Sequence, residues 1–367
     1  MNRQDKSRSF NIKQPADSAL SEQAKVLPVA IVIPAFNEEA TIHKTLDSLK
    51  NQTCLTEEII VVDDFSSDNT GAVAKSYGAT VIRTPENTGN KAKAQSFALP
   101  FIKSKYVISI DADTIIKEDT IEKMFKFMEQ HPETSACCNF VLPQKIETVW
   151  ERARFIEYMF VFSFSKRIQQ WYGRPLTISG CFSIFNTNDV KKIGGWSART
   201  MLEDIDLTWS LYESGKSVQC FPESFCFPLE PDNFKLMSKQ LKRWSHGWFQ
   251  NVILHRKKIM KIPGLREQVM VGTIDALLGS LLLLIILPLL SILTHNYSLM
   301  VFTFVIDILL FLIPSMIIGY KIKYLKKVIA CLPSFIFLKM VNIYYTYEAF
   351  ISEVILEKRL TIYEKGH

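Results

Sequence analysis

YVISIDAD, at residues 106–113, is an apolar run that ends in two carboxylates. VAIVIP (29–34), EIIVVDD (58–64) and ATVIRTPEN (79–87) are similar short apolar runs earlier in the 367-residue chain. Each of these three is followed by a helical pattern, the first being TIHKTLDSLKNQ (41–52). Because short buried strands alternate with helices, we predict an α/β fold with a doubly wound, mostly parallel sheet.

Acidic side chains follow two of these predicted strands. Asp63 and Asp64 end the second, and Asp111 and Asp113 end the fourth. Ligands of such sheets bind beyond the carboxyl ends of the strands. The later pair can hold Mg²⁺ or Mn²⁺, which prefer oxygen ligands, and the earlier pair can accept hydrogen bonds from a nucleobase or ribose. Each pair alone is also typical of a solvated acidic turn.

Two further sites follow from residue type. Lys91 comes after the Gly-containing turn 87–90 and can bring an ammonium group to a diphosphate. Glu203 and Asp204 precede the helical pattern LTWSLYESGK, where acids also suit the helix dipole. The functional alternative makes Asp204 a general base that takes a proton from an acceptor hydroxyl.

Gln240, Arg243 and Trp244 fall at positions i, i+3 and i+4 of a predicted helix and therefore share one face. A guanidinium group binds phosphate, and an indole stacks on the C–H face of a sugar. An amphipathic helix close to a membrane explains the pattern about as well.

The distribution of charge, more than the composition, indicates the class of protein. Hydrophobic residues make up 48% of the chain and charged residues 22%, close to soluble averages. Residues 276–294 and 297–320 nevertheless have the length and character of membrane helices, and 328–350 form a weaker third segment that can instead lie at the interface. Basic residues flank the first two segments and contribute to the net charge of +6, so the positive-inside rule places the preceding domain in the cytosol. A nucleic-acid-binding module is disfavoured because no basic, aromatic-studded motif is present.

The seven cysteines show no C-x-x-C pair, which favours reduced thiols in a reducing compartment. The polar N-terminus is not typical of a secretory signal.

Six motifs occur in the order typical of family 2 glycosyltransferases: IVIPAFNEE, EIIVVDDFSSDNT, ISIDAD, ISGCFSIFN, MLEDIDLTWSL and QLKRW. The chain resembles the membrane-bound, processive-type branch that includes poly-N-acetylglucosamine, hyaluronan, chitin-oligosaccharide and cellulose synthases. The resemblance covers about residues 28–250. It implies a nucleotide-sugar transferase fold of the GT-A type and an inverting displacement that turns an α-linked UDP-sugar into a β-linked product.

The resemblance also implies roles for individual residues. Asp111 and Asp113 would bind Mg²⁺ or Mn²⁺, and Asp204, beside Glu203, would be the catalytic base. The nucleotide-sugar site would comprise Pro34, Glu38, Asp63, Asp64, Lys91, Asp111 and Ala112. The acceptor and diphosphate site would comprise Ser179, Gly180, Cys181, Gln240, Arg243 and Trp244. This chain departs from the family pattern at Leu202, where Thr is frequent, and in the spread Gly89-Asn90-Lys91 turn.

From these patterns we expect a flexible N-terminal tail (1–27), a cytosolic GT-A domain (28–250), an amphipathic interfacial segment (251–268), two to three transmembrane helices (269–350) and a C-terminal tail (351–367). The expected protein is a multi-pass cytoplasmic-membrane enzyme that transfers a sugar, expected to be N-acetylglucosamine, from UDP to a growing β-glycan. Its expected partners are the UDP-sugar, a glycan or lipid acceptor, membrane lipid, and a second copy or partner subunit for export. Single addition to a membrane lipid is the main alternative, and an inactive sugar-nucleotide-binding scaffold is a minor one.

Overall fold

The computed structural model describes residues 26–279, 281–307 and 311–362, so the predicted N-terminal tail up to residue 25 lies outside the described residues. An eight-stranded sheet forms the centre of the fold, in the order β3-β2-β1-β4-β7-β6-β8-β5. Its strands are β1 (Val26–Ala35), β2 (Leu55–Asp63), β3 (Thr80–Arg83), β4 (Tyr106–Ile110), β5 (Ile115–Ile116), β6 (Thr134–Val141), β7 (Phe182–Asn186) and β8 (Ser217–Phe227). The predicted α/β class is confirmed.

The first four strands are parallel, as the alternating pattern predicts. β1 lies between β2 and β4, with Ala35 opposite Asp63 and Val32 opposite Ser109. These strands therefore end at the same edge and present their following residues together. Their apolar runs are continuous because helices cover both faces, and Ile31 is fully buried.

The second half of the sheet is mixed. β7 pairs antiparallel with both β4 and β6, and β5 pairs antiparallel with β8, whereas β6 and β8 are parallel. Weak periodicity in this half gives no sign of these pairings.

Helices flank the sheet. Those up to residue 259 are α1 (Ile42–Lys50), α2 (Thr70–Ser76), α3 (Lys91–Ala98), α4 (Thr120–Gln130), α5 (Val149–Phe160), α6 (Lys166–Trp171), α7 (Thr187–Lys192), α8 (Glu203–Glu213) and α9 (Phe234–Ile259). A π-helical turn, Val161–Ser165, joins α5 to α6. We call residues 26–259 the sheet domain. Helix α9 carries Gln240, Arg243 and Trp244, as predicted, and continues past residue 250.

The C-terminal part is helical throughout its regular elements. It comprises α10 (Leu265–Ile274), α11 (Leu287–Leu293), α12 (Tyr297–Asp307), α13 (Ile313–Lys321) and α14 (Leu325–Phe350), with π-helical turns at Asp275–Gly279, Leu282–Ile286 and Ile351–Ile355. Among the described residues, two helical stretches are long and apolar enough to cross a membrane, Leu265–Leu293 and Leu325–Ile355. They overlap the first and third predicted segments. The second predicted segment includes residues 308–310, which lie outside the described residues.

Candidate active site

The loops after β1 and β2 are tied together at the carboxyl edge of the sheet. Asn37 adopts a positive φ of 53°, and its backbone N–H donates to Ser66 Oγ at 3.0 Å. The Asn37 side-chain oxygen accepts from the Ser67 N–H at 2.8 Å, and the Glu38 N–H donates to Thr70 Oγ1 at 2.7 Å. These bonds fix the floor of a cavity that opens beyond the strands.

This first cavity, of 230 Å³, gathers seven of the predicted site residues. We call it the donor cavity, after the role that the sequence predicts for these residues. Its lining includes Pro34, Glu38, Asp64, Lys91, Asp111, Ala112 and Asp113. Residues separated by almost 80 positions in the chain therefore share one concave surface. Asp63 is the member of the predicted nucleotide site that does not line this cavity.

Asp63 and Asp64 are both buried but have different partners. Asp63 accepts from Arg83 Nη1 at 2.7 Å and from the Ser66 N–H at 2.8 Å, so its carboxylate holds the end of β2 to β3. Asp64 accepts from the Thr88 N–H at 3.0 Å and from Thr88 Oγ1 at 2.8 Å. Asp64 thereby positions the turn that leads to Lys91.

Lys91 links the donor side of the site to the predicted base. It begins α3, which Asn90 caps by accepting from the Ala92 N–H at 2.8 Å. The Lys91 ammonium group contacts the Asp111 carboxylate, donates to the Gly180 carbonyl at 2.8 Å and lies 3.5 Å from Glu203 Oε1. One cation thus joins the loops after β4 and before β7 to the first residue of α8.

Asp111 and Asp113 suit a divalent cation by their chemistry. Both line the donor cavity, and their hard carboxylate oxygens are the ligands that Mg²⁺ and Mn²⁺ prefer. Burial raises the pKa of Asp111; Lys91 opposes this rise, and the negative charge of Asp113 adds to it. A bound cation would relieve that repulsion. Among the residues that the structure describes, no three His, Cys, Asp or Glu side chains are grouped as a ready-made metal site.

Asp204 occupies the first turn of α8 and lies against Gly180. A Cβ added to Gly180 would come within 3.2 Å of Asp204 Oδ2, so the small residue permits this approach. Asp204 Oδ1 accepts from the Ile205 N–H at 2.8 Å. Burial, followed by the charge of Glu203, raises the pKa of Asp204 to about 6. A carboxylate with such a pKa is a stronger base than an exposed Asp and is still ionised at neutral pH.

A second cavity, of 430 Å³, extends from this point toward the C-terminal helices. We call it the acceptor cavity, after the role that the sequence predicts for several of its residues. Its lining includes eleven predicted site residues: Lys91, Asp111, Asp113, Ser179, Gly180, Cys181, Glu203, Asp204, Gln240, Arg243 and Trp244. Ala276, Asn342 and Thr346 of the C-terminal part also line it. The two cavities share Lys91, Asp111 and Asp113, where chemistry between a donor and an acceptor can take place.

Arg154 is a site residue that motif reasoning missed. Its side chain is fully buried on α5, where it pairs with Glu230 at 3.2 Å and contacts Glu157. Arg154 Nη2 donates to Gln240 Oε1 at 2.8 Å, and its guanidinium carbon lies 3.9 Å from the centre of the Trp244 ring. Arg154 therefore orients two of the three residues predicted on the α9 face. In the sequence, Arg154 is one of several basic residues between positions 147 and 170, and no motif distinguishes it from the others.

Helix α9 also holds the loop that precedes Glu203 and Asp204. Gln250 Oε1 accepts from the Met201 N–H at 2.9 Å, and Asn251 Nδ2 donates to the Leu202 carbonyl at 3.2 Å. A Cβ on Gly247 would overlap the Leu202 side chain, so Leu202 fits where α9 has no side chain. The Leu202 departure from the family pattern is thus accommodated by packing.

Comparisons with known proteins agree with this arrangement. Residues 30–194 match the model of glycosyl transferase family 2. A poly-β-1,6-N-acetyl-D-glucosamine synthase of Staphylococcus epidermidis is 28% identical over 231 residues, which cover 62% of this chain and 56% of the relative. The Staphylococcus aureus synthase is 28% identical over 223 residues, which cover 60% of this chain and 54% of that relative. The matches thus span about half the length of these curated relatives.

A mannosyltransferase from Pyrobaculum calidifontis, solved in complex with GDP-Man and Mn²⁺, has a similar fold. The match has a TM-score of 0.56 and 17% sequence identity, and it covers 88% of this chain and 90% of that chain. The predicted resemblance and fold class are confirmed: residues 30–194 match glycosyl transferase family 2, and the eight-stranded sheet has the expected α/β character.

Proposed function

We propose that this protein is an inverting, metal-dependent glycosyltransferase that moves a sugar from a UDP-sugar to a growing β-linked glycan at the cytosolic membrane face. The observation that carries the proposal is the position of Asp204. Its carboxylate, with a pKa raised to about 6, lies beside Gly180 in the cavity that also contains Lys91 and Asp111. A base and a diphosphate-binding cation thus line one space.

In the proposed reaction, Asp204 accepts the proton of the acceptor hydroxyl as that oxygen attacks the anomeric carbon of the donor. The new carbon–oxygen bond forms on the face opposite the leaving UDP, so the configuration inverts from α to β. Lys91 and Arg243 neutralise charge on the departing diphosphate. Mg²⁺ or Mn²⁺ held by Asp111 and Asp113 would supply further charge stabilisation.

N-acetylglucosamine is the proposed sugar, and UDP its proposed carrier. The support comes from the poly-β-1,6-N-acetyl-D-glucosamine synthases with which the chain shares 28% identity. Trp244 can stack on the acceptor sugar while Arg154 holds the Trp244 ring in place.

Single addition to a membrane lipid is the second candidate. The acceptor cavity favours it because much of its lining is apolar and because it reaches Ala276 and Asn342 of the C-terminal helices. Product length by mass spectrometry separates the candidates. A ladder of β-linked sugars supports glycan extension, and one sugar on each lipid supports the alternative.

The test of the proposal is UDP release by the detergent-solubilised protein over a panel of UDP-sugars with Mg²⁺ or Mn²⁺. Asp204→Asn should lower turnover with the preferred donor by about 10² to 10⁴, the usual contribution of a general base. Asp232→Asn, at an exposed carboxylate outside both cavities, is the matched control and should retain full activity. Turnover with none of the donors, or an unaffected Asp204→Asn variant, would refute the proposal.

A further inference from the structure

The face of α9 that carries Trp244 continues for another turn. Trp248 follows Trp244 by four positions and therefore lies on the same face, about 6 Å farther along the helix axis at about 1.5 Å per residue. Both side chains line the acceptor cavity. The step between them is similar to the length of one linked sugar residue. The cavity thus presents two indole rings at a spacing that suits two consecutive sugars.

The Trp248 ring is held in place by its protein neighbours. It lies 5.8 Å from the Trp209 ring, at an interplanar angle of 78°. A Cβ added to Gly272 of α10 would come within 3.3 Å of the Trp248 ring, so the glycine lets α10 pack closely against the indole. A side chain that is already ordered loses little conformational entropy when a ligand stacks on it. Trp248 is therefore a preorganised surface for a flat, weakly polar ligand.

The Trp248 indole N–H is buried and has no hydrogen-bond partner among the residues that the structure describes. The neighbouring indole differs in this respect, since Trp209 Nε1 donates to the Leu176 carbonyl at 2.8 Å. Buried donors in proteins are normally paired, and an unpaired one needs an explanation. An oxygen atom of a ligand in the acceptor cavity would supply the missing partner.

Lys166 is a second polar group of the same cavity that the proposed reaction does not use. Its residue is only 3% exposed, it donates to the Thr177 carbonyl, and its Nζ lies 5.3 Å from the centre of the Phe162 ring. The cavity carboxylates that form ion pairs do so with Lys91 or Arg154 and not with Lys166: they are Asp111, Glu203, Glu157 and Glu230. An ammonium group has three N–H donors, so Lys166 can also donate to an oxygen atom within the cavity.

Residues 176–180 connect these two groups to the proposed base. The first residue of this segment packs with Trp248 against the same glycine of α10, and the carbonyl of the next accepts from Lys166. The N–H of the third donates to Thr208 Oγ1 at 3.1 Å, and Thr208 Oγ1 donates to the Asp204 carbonyl at 2.6 Å. Four residue steps span at most about 14 Å. Both groups therefore lie within reach of an oligosaccharide whose terminal hydroxyl is at Asp204.

We propose that Trp248 and Lys166 form a second sugar subsite, which binds the sugar next to the reacting one in a β-linked oligosaccharide acceptor. The inference rests on the proposed transferase function and deepens it by naming the class of acceptor. Trp244 stacks on the terminal sugar and Trp248 on the next. The indole N–H of Trp248 and the ammonium group of Lys166 donate to hydroxyl or acetamido oxygens of that second sugar. The two residues thus determine specificity for an acceptor of at least two sugars.

The test compares acceptors of one and two β-linked N-acetylglucosamine units with the detergent-solubilised full chain. UDP release gives kcat/KM for each acceptor, and the wild type should prefer the disaccharide. Trp248→Ala should lower the ratio of the two kcat/KM values by about tenfold, the change that a contact worth about 1.4 kcal/mol produces. Lys166→Met should lower the same ratio. A variant that only folds less well loses kcat/KM for both acceptors alike and keeps the ratio.

Matched control variants lie outside both cavities. Trp171 is 82% exposed, and Lys257 is exposed near the end of α9. Trp171→Ala and Lys257→Met should therefore keep the wild-type preference for the disaccharide. A wild type without that preference, or a Trp248→Ala variant that keeps it in full, would overturn the proposal.

Binding without turnover separates the subsite from the reaction. Calorimetric titration of the full chain with each saccharide, in the presence of UDP and without a sugar donor, should show tighter binding of the disaccharide by about tenfold. Trp248→Ala should lose most of this difference, and Trp248→Phe, which keeps an aromatic ring, should retain part of it. Such a result in a protein that releases no UDP would contradict the proposed reaction and still support the subsite. Equal binding of the two saccharides, or binding of neither by a protein that modifies a lipid, would exclude the subsite.

Discussion

The ionisation of Asp204 gives the sharpest prediction of the proposed mechanism. As a base, Asp204 must be deprotonated, so activity should rise with pH through its pKa of about 6. At about pH 5 only about one eleventh of the carboxyl groups would be ionised, so kcat/KM should fall about tenfold below its plateau, given the pKa of about 6. At about pH 7 about nine tenths would be ionised, and the profile should be nearly flat.

The assay is UDP release at limiting donor concentration across this pH range. Asp204→Asn should lower kcat/KM by about 10² to 10⁴ and abolish the acid limb, since that is the usual contribution of a general base. Glu203→Gln should move the limb to lower pH, because the charge of Glu203, after burial, raises the pKa of Asp204. Asp232→Asn should keep the wild-type profile. A profile flat down to about pH 5 in the active wild-type enzyme would refute the reasoning.

Four further perturbations are predicted together. Lys91→Met should raise KM for the donor at least about tenfold. The reason is that truncating one partner of a buried charge pair, here the Lys91 ammonium group and the donor diphosphate, costs about 2 kcal/mol or more. Lys93→Met, at an exposed position on the same helix, is the control. Gly180→Ala should lower kcat by about tenfold with little change in KM, since a misplacement of about 1 Å can cost about 10²-fold and the new Cβ would lie 3.2 Å from the carboxylate of the base. Arg154→Met should lower the free energy of unfolding by about 3–5 kcal/mol because it strands buried Glu230, which thermal unfolding in detergent would detect. Chelation of divalent cations should abolish turnover, and added Mg²⁺ or Mn²⁺ should restore it.

Contrary outcomes have distinct meanings. Equal changes in the donor KM of Lys91→Met and Lys93→Met would show that Lys91 does not bind the donor. A Gly180→Ala variant that changes only KM would move Gly180 from base positioning to acceptor binding. Wild-type thermal stability of Arg154→Met would show that the buried pair is dispensable, and full activity in the chelated enzyme would contradict the role of a metal.

The sequence by itself determined the parallel half of the sheet and most of the candidate site. Buried parallel strands are apolar without interruption, so their ends can be located from hydropathy, and Asp64 and Asp111 follow such ends. The helical spacing of Gln240, Arg243 and Trp244 likewise follows from a local period of 3.6 residues. Local periodicity carries this information because it depends on neighbours in the chain.

Only the tertiary structure decided which side chains meet. Asp63 and Asp64 are adjacent at the end of the second strand, so the sequence pattern does not distinguish them. In the structure, however, the Asp63 carboxylate faces Arg83 and the Ser66 N–H rather than the donor cavity. Arg154 contacts Trp244 from a helix 90 positions earlier in the chain, and such a pairing leaves no local signal. The antiparallel insertion of β7 also depends on long-range hydrogen bonds. Hydropathy measures how apolar a segment is. These side-chain contacts and strand pairings depend instead on which distant part of the chain packs against that segment.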